Sequence, residues 1–188
     1  HYMASFLTPS LQCSMNELSN HDHSRFLTRT NHKVGRAEQL GTKAAEEGVN
    51  TAVLREAVVI QMTWPGAPTV YYGDEAGLCG FTDPDNRRTY PWGREDGNLI
   101  SFYRSLARVK KASPALRRGT VLVLEAGGGR LMLLRQYEGK NVAVCCNRSE
   151  SPWTLPHSGT ILLGGGIAEY TGETLTLGCG GFCAMERE

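Results

Sequence analysis

The apolar pattern of this chain changes period once, and that change most limits what the chain can fold into. Before Ser113 the apolar residues recur at helical spacing and are interrupted by short β-branched runs. After Gly119 they fall into short runs separated by glycine-containing turns. A single repeat cannot carry both grammars, so two units are expected, residues 1–113 and 114–188.

In the first unit, Val53, Ala57, Ile60 and Trp64 recur at i+3 or i+4 spacing. They predict a helix from Asn50 to Trp64, with Asn50 as its N-cap and Pro65-Gly66 as its stop. Pro68-Thr69-Val70-Tyr71-Tyr72, closed by Gly73, reads as a buried strand. Ser14 to Leu18 reads as a preceding strand, so strand, crossover helix and strand form one parallel βαβ unit. Leu99, Phe102, Tyr103, Leu106 and Val109 predict a further amphipathic helix, with Lys110 and Lys111 at its negative end and Pro114 beyond it.

In the second unit, strands are expected at Val121 to Leu124, Leu131 to Leu134, Val142 to Cys146 and Ile161 to Leu163. Gly127-Gly128-Gly129, Glu138-Gly139-Lys140, Gly164-Gly165-Gly166 and Thr171-Gly172-Glu173 are read as the turns, which suits an antiparallel β-sandwich. The fold class is therefore α/β followed by all-β.

Charge narrows the partners. Lys plus Arg number 20 against 19 Asp plus Glu, a formal net charge of +1, so no long-range field points to nucleic acid or to an anionic membrane. No apolar run approaches the roughly 20 residues a membrane span needs. His1-Tyr2-Met3 reads as a cloning remnant ahead of an internal start, and the expected location is cytoplasmic. The 6 cysteines show no paired C-x-x-C spacing and are read as reduced, Cys179 and Cys183 as buried strand residues and Cys145 and Cys146 on opposite faces of a strand. His21, His23 and His32 are read as solvated loop histidines, with no structural metal and no cofactor expected.

Chemistry concentrates where strands end. Side chains on loops after the C-terminal ends of parallel strands converge on one mouth. Two polar segments qualify: Ser19-Asn20-His21-Asp22-His23-Ser24-Arg25 and Gly73-Asp74-Glu75. Asn-His-Asp alone is weak, and Asp74 and Glu75, adjacent on one loop, do not face each other across a reacting bond and are read as structural.

Together the strings are more specific. NHDHSRFLT, followed about 35 residues later by TWPGAPTVYYGDEAGLCGFTDPDNRRTYPW, resembles the last stretch of the catalytic (β/α)8 barrel of the α-amylase family, in the flavour of neopullulanase, cyclomaltodextrinase and maltogenic amylase. The resemblance runs from Asn16 to Leu116 and departs from the usual strings at His23 and Thr89. It implies that the first unit is the end of the barrel, with its seventh and eighth strands, and that the second is the C-terminal β-domain. The family's nucleophile and general acid sit on earlier strands, so the chain is expected to be inactive alone.

By the resemblance, Asp22 is the third, transition-state-stabilising carboxylate and His21 donates to the sugar in the cleavage subsite. Asp83 and Arg87 bind hydroxyls further along the glycan, the alternative being a mutual surface ion pair. The implied substrate is an α-glucan oligosaccharide or a cyclodextrin. Exposed barrel edges imply self-association. Two other readings stay open: a non-catalytic amylase-like accessory protein, and a carbohydrate-binding module beyond Gly119, for which Trp153 is the only tryptophan.

Overall fold

A computed structural model of the chain describes residues 5–157 and 159–187; the His1-Tyr2-Met3 segment lies outside them. Two compact units emerge. One comprises Asn16–Gln61 and Pro68–Arg104, and the other the remaining described residues.

The chain opens with helix α1 (Thr8–Gln12), strand β1 (Met15–Glu17) and two short helices, α2 (Phe26–Arg29) and α3 (Ala37–Leu40). Helix α4 (Thr51–Thr63) follows, then strand β2 (Ala67–Thr69), and β1 and β2 pair in a two-stranded sheet. Strand, helix and strand thus come in the expected order. The Asn50 side chain caps α4, its Oδ1 accepting from the N–H groups of Ala52 (3.0 Å) and Val53 (3.2 Å), which satisfies donors that have no partner within the helix. Gln61 Nε2 donates to the carbonyls of Asn16 (2.9 Å) and Thr69 (2.8 Å), so one buried amide ties the helix to both strands.

Two details differ from the sequence expectation. The buried stripe of α4 is Leu54, Val58, Val59 and Met62, whereas Val53, Ala57, Ile60 and Trp64 are half-buried. The helix is apolar on more than one face, so its periodicity did not single out one of them. β2 ends at Thr69, and Val70, Tyr71 and Tyr72 continue outside regular pairing.

Helix α5 (Gly97–Ala112) runs as expected, with Leu99, Tyr103 and Leu106 buried. Asp96 Oδ1 caps it through the N–H groups of Asn98 (2.9 Å) and Leu99 (3.0 Å). Rather than leaving the helix at Pro114, the chain starts a short helix there, α6 (Pro114–Arg118), with Ser113 Oγ accepting from Leu116 N at 3.3 Å. Proline at the first helical position costs nothing, because its missing N–H would have had no partner.

The ammonium of Lys110 lies against the carbonyls of Trp64 (3.2 Å) and Leu116 (3.4 Å). Burial, and secondarily Arg135, pulls its pKa down to about 8. A folded pKa below the unfolded one means that the unfolded chain binds the proton more tightly between the two values, so stability rises with pH there. Thermal melts should show the parent gaining stability relative to Lys110→Met as pH climbs from 8 toward 10, by about 1–2 kcal/mol after allowance for solvent screening.

The β-unit has strands β3 (Thr120–Gly127), β4 (Arg130–Tyr137), β5 (Lys140–Asn147), β6 (Trp153–Pro156), β7 (Ile161–Tyr170) and β8 (Thr174–Arg187), all antiparallel to their partners. Hydrogen bonding joins them in one six-stranded sheet rather than two separate ones. β8 is the reason. Leu175 pairs with both Leu155 of β6 and Tyr170 of β7, while Cys183 pairs with Cys145 of β5 and Gly164 of β7. A strand has only two edges, so β5 and β6 share one edge of β8 in succession and β7 runs along the other. Ala143, Cys145, Trp153, Leu155, Leu175, Leu177, Cys183 and Met185 form the core of this sheet.

Gly164-Gly165-Gly166, read from sequence as a turn, lies inside β7. Gly165 pairs with Phe182, and a Cβ on Gly165 would sit 2.5 Å from the ring. Gly166, at φ +62°, would meet Gly181 Cα at 2.8 Å, so these glycines serve close strand approach at a bulge. The 6 cysteines are free. Cys145 and Cys183 are core residues, and Cys179 lies in a strand, β8, as read but is exposed rather than buried.

Candidate functional site

The first polar segment follows β1 and is organised from Asn20. Its Oδ1 accepts from the N–H groups of Asp22 (2.9 Å) and His23 (3.2 Å), and its Nδ2 donates to Glu17 Oε1 at 2.7 Å. Such an Asx turn holds the loop without help from regular structure. From the loop after β2, Thr82 Oγ1 donates to Asp22 O (2.9 Å), and Asn86 Nδ2 donates to Asn20 O (3.1 Å) and His23 O (2.8 Å). Asn86 is fully buried. The backbone around Asp22 is therefore pinned at both flanks.

The side chains there are left to solvent. His21 Nε2 lies 3.5 Å from Asp22 Oδ1, with 64% and 66% of the two side chains exposed. A loop with a fixed backbone and an unsatisfied carboxylate is arranged to receive hydrogen-bond donors from outside. Asp83 and Arg87 form an ion pair on the second loop, each about half exposed, which is the alternative raised for them above. Both oxygens of Asp85 accept from Arg88 (3.0 and 2.9 Å), which also pairs with Glu46 at 2.8 Å. The two adjacent arginines thus hold separate partners.

Sequence reasoning missed the group that joins the two loops. Arg25 is completely buried. Its Nη1 donates to Asp74 Oδ1 (2.8 Å) and Tyr72 O (2.8 Å), its Nε donates to Asn86 O (2.9 Å), and its guanidinium lies 4.4 Å from the centre of the Tyr71 ring. Burial pushes the Asp74 carboxyl above its ordinary range, opposed by hydrogen bonds from Ser19 and Arg25. Asp74 is thus the inner anchor of the scaffold, as its structural reading requires. The only sequence signal was an arginine beside the apolar Phe26-Leu27, which is not enough to name its partner 49 residues away.

Gly80 makes the close approach possible. Its carbonyl accepts from Arg25 N (3.0 Å) and its N–H donates to Thr28 Oγ1 (2.8 Å). A Cβ there would stand 2.5 Å from Asp85 O and 2.8 Å from Asn86 Cα, both backbone atoms. Gly80→Ala is expected to lower the urea midpoint by an amount equivalent to about 1–3 kcal/mol, because the backbone has to move. An unchanged midpoint would contradict this packing.

Among the described residues no three His, Cys, Asp or Glu side chains group as a metal site, and no helix is long and apolar enough to cross a membrane.

Two polar loops thus follow neighbouring strands, and one of them carries an exposed His–Asp pair on a pinned backbone. Residues 4–112 match the family profile described as alpha amylase, catalytic domain, and the chain belongs to the α-amylase family. It is 39% identical over 120 residues to an amylopullulanase of Thermoanaerobacter thermohydrosulfuricus, a match covering 64% of this chain and 8% of that protein. It is 36% identical over 152 residues to neopullulanase 2 of Thermoactinomyces vulgaris, covering 77% and 23%. Among solved structures, a debranching enzyme from Nostoc punctiforme superposes with a TM-score of 0.77 at 27% identity, covering 98% of this chain and 37% of that one. The chain thus spans well under half the length of each of these relatives.

Proposed function

We propose that this chain is the C-terminal part of a retaining glycoside hydrolase acting on α-glucans. Residues 1–113 supply the last strands and helices of its (β/α)8 barrel and residues 114–188 its C-terminal β-domain, of sandwich type. α4 supports this reading, since apolar residues on more than one face suit a helix wrapped into a larger barrel layer. The observation that carries the functional part is the His21–Asp22 pair, exposed on a backbone pinned from both sides.

In this reading Asp22 accepts hydrogen bonds from sugar hydroxyls that shorten as the ring distorts toward an oxocarbenium-like transition state. Bonds that strengthen only there accelerate the reaction, whereas equal binding of ground and transition states would not raise kcat. His21 donates to the same sugar through an imidazole N–H. Asp83 and Arg87 meet hydroxyls of the next units, opening their ion pair toward the glycan. The nucleophile and general acid, which retaining enzymes hold about 5–5.5 Å apart, belong to strands outside this chain, so it does not hydrolyse glycans alone.

The substrate class is α-glucan oligosaccharides and cyclodextrins. A cyclomaltodextrinase of Thermoanaerobacter pseudethanolicus, 34% identical over 136 residues, is among the relatives. Free cysteines throughout suit a reducing compartment, so the cytoplasm is the proposed location. Without further strands beside β1 and β2, their open edges favour self-association.

The test is to assay this chain and the longer protein it belongs to, side by side, on an α-linked nitrophenyl maltoside and on cyclodextrin. Hydrolysis by the longer protein and none by the chain is the expected result. Turnover by the chain alone would refute the missing-carboxylate mechanism, and silence from both would favour a non-catalytic amylase-like protein.

A further inference from the structure

Among the described residues Trp92 is the most exposed of the tryptophan, tyrosine and phenylalanine side chains, and it packs against a second ring. Trp92 is 79% exposed, while Trp153 is buried and Trp64 half-buried. A lone exposed tryptophan means little. This one packs against Tyr90, ring centres 4.5 Å apart and tilted by 48°. Burial, and after it the nearby Glu75 carboxylate, raises the Tyr90 hydroxyl above its ordinary pKa; Glu75 adjoins the Asp74 that pairs with Arg25. The segment between the rings is a tight turn: Trp92 N donates to Tyr90 O and Arg94 N to Pro91 O, both at 2.9 Å, with Gly93 at φ +75°. The indole is thus exposed on a hydrogen-bonded turn with the Tyr90 ring behind it.

We infer that Trp92, backed by Tyr90, is a stacking platform for a glucose unit of the glycan, on the same loop as Asp83 and Arg87. The inference deepens the proposed function and rests on its assignment of an α-glucan ligand. A glucose ring has an apolar C–H face and a rim of hydroxyls, so it matches an isolated aromatic face set among hydrogen-bonding groups. Asp83, Arg87, Arg94 and Glu95 supply such groups in the surrounding sequence. A protein partner would need a broader apolar patch than one indole and its backing ring. An indole already packed against Tyr90 has less freedom to lose on binding than an isolated side chain would.

The experiment uses the 188-residue chain and maltoheptaose as probe. Calorimetry should give a Kd that weakens about tenfold in Trp92→Ala and stays within about threefold in Trp92→Phe, since a truncated aromatic anchor typically costs that much. Maltoheptaose should also shield tryptophan emission of the parent from acrylamide, and the melting temperature of both variants should match the parent, because Trp92 supports no core. A Kd unchanged by Trp92→Ala overturns the platform. If Asp83→Ala still weakens binding in that case, the α-glucan reading of the loop survives its loss. No maltoheptaose binding by the parent also overturns the platform, while the family reading is decided separately by hydrolysis in the longer protein.

Discussion

Arg25→Met is expected to destabilise the chain by about 3–5 kcal/mol, the usual cost of removing one partner of a buried ion pair. Arg25 is fully buried and Asp74 only 6% exposed. Removal strips Asp74 of its counter-charge and leaves the carbonyls of Tyr72 and Asn86 without their donor. Marginal stability of about 5–15 kcal/mol for ordinary domains makes this a large fraction of the total. Urea unfolding followed by circular dichroism reads it.

The deficit should depend on pH in a definite direction. The Asp74 pKa is raised by burial even with Arg25 present, and losing the cation raises it further. Between the unfolded and folded pKa values the folded state binds the proton more tightly, so stability falls as pH rises through that window. The gap between Arg25→Met and the parent should therefore narrow at acid pH, where a proton replaces the lost cation. A gap that widens on acidification would contradict Asp74 as the group concerned. Arg25→Met combined with Asp74→Leu should recover part of the loss, since an apolar pair needs no counter-charge.

The second large effect concerns rate rather than stability. Asp22→Asn in the longer protein is expected to lower kcat about 10³-fold, or about 4 kcal/mol of transition-state stabilisation, with KM much less changed. The substitution keeps the shape of the side chain and both backbone bonds at this position, from Asp22 N to Asn20 and from Thr82 to Asp22 O. What it removes is the charge, and with it the strengthening of the sugar hydrogen bonds in the transition state. The melting temperature should stay at the parent value because the carboxylate is 66% exposed and, among the described residues, its side-chain contact is with His21.

Local signals carried much of the fold. The N-cap at Asn50, the Pro65-Gly66 stop and the apolar stripe of α5 were legible because each rests on neighbours a few residues apart. The turns Glu138-Gly139 and Thr171-Gly172-Glu173 fall between strands as expected. β6 and β8 were not legible. β6 is four residues long with a proline at its end, and β8 is broken by Gly178, Gly180 and Gly181, so neither shows the β-branched run by which strands are recognised. The glycines of β7 were misread for a related reason, since it is cross-strand neighbours that explain them, the Phe182 ring at Gly165 and the Gly181 backbone at Gly166.

The site divides in the same way. His21 and Asp22 were legible through family strings, and spacing alone would not have selected them from other loop residues. Arg25, Asp74, Gly80 and Asn86 were illegible as a group. Each looks ordinary in the sequence, and their meeting depends on loop contacts 47 to 66 residues apart. The residues that hold the loop come from long-range packing, while those proposed to face the substrate stand beside each other in the chain.

The most direct test of the account is to compare cyclodextrin turnover and melting temperature of the longer protein carrying Asp22→Asn with those of the same protein carrying Asp74→Asn. The account predicts that Asp22→Asn removes kcat and leaves the melt in place, whereas Asp74→Asn lowers the melt and leaves substantial kcat in the folded fraction. Full turnover in Asp22→Asn, or loss of turnover confined to Asp74→Asn at an unchanged melt, would contradict it.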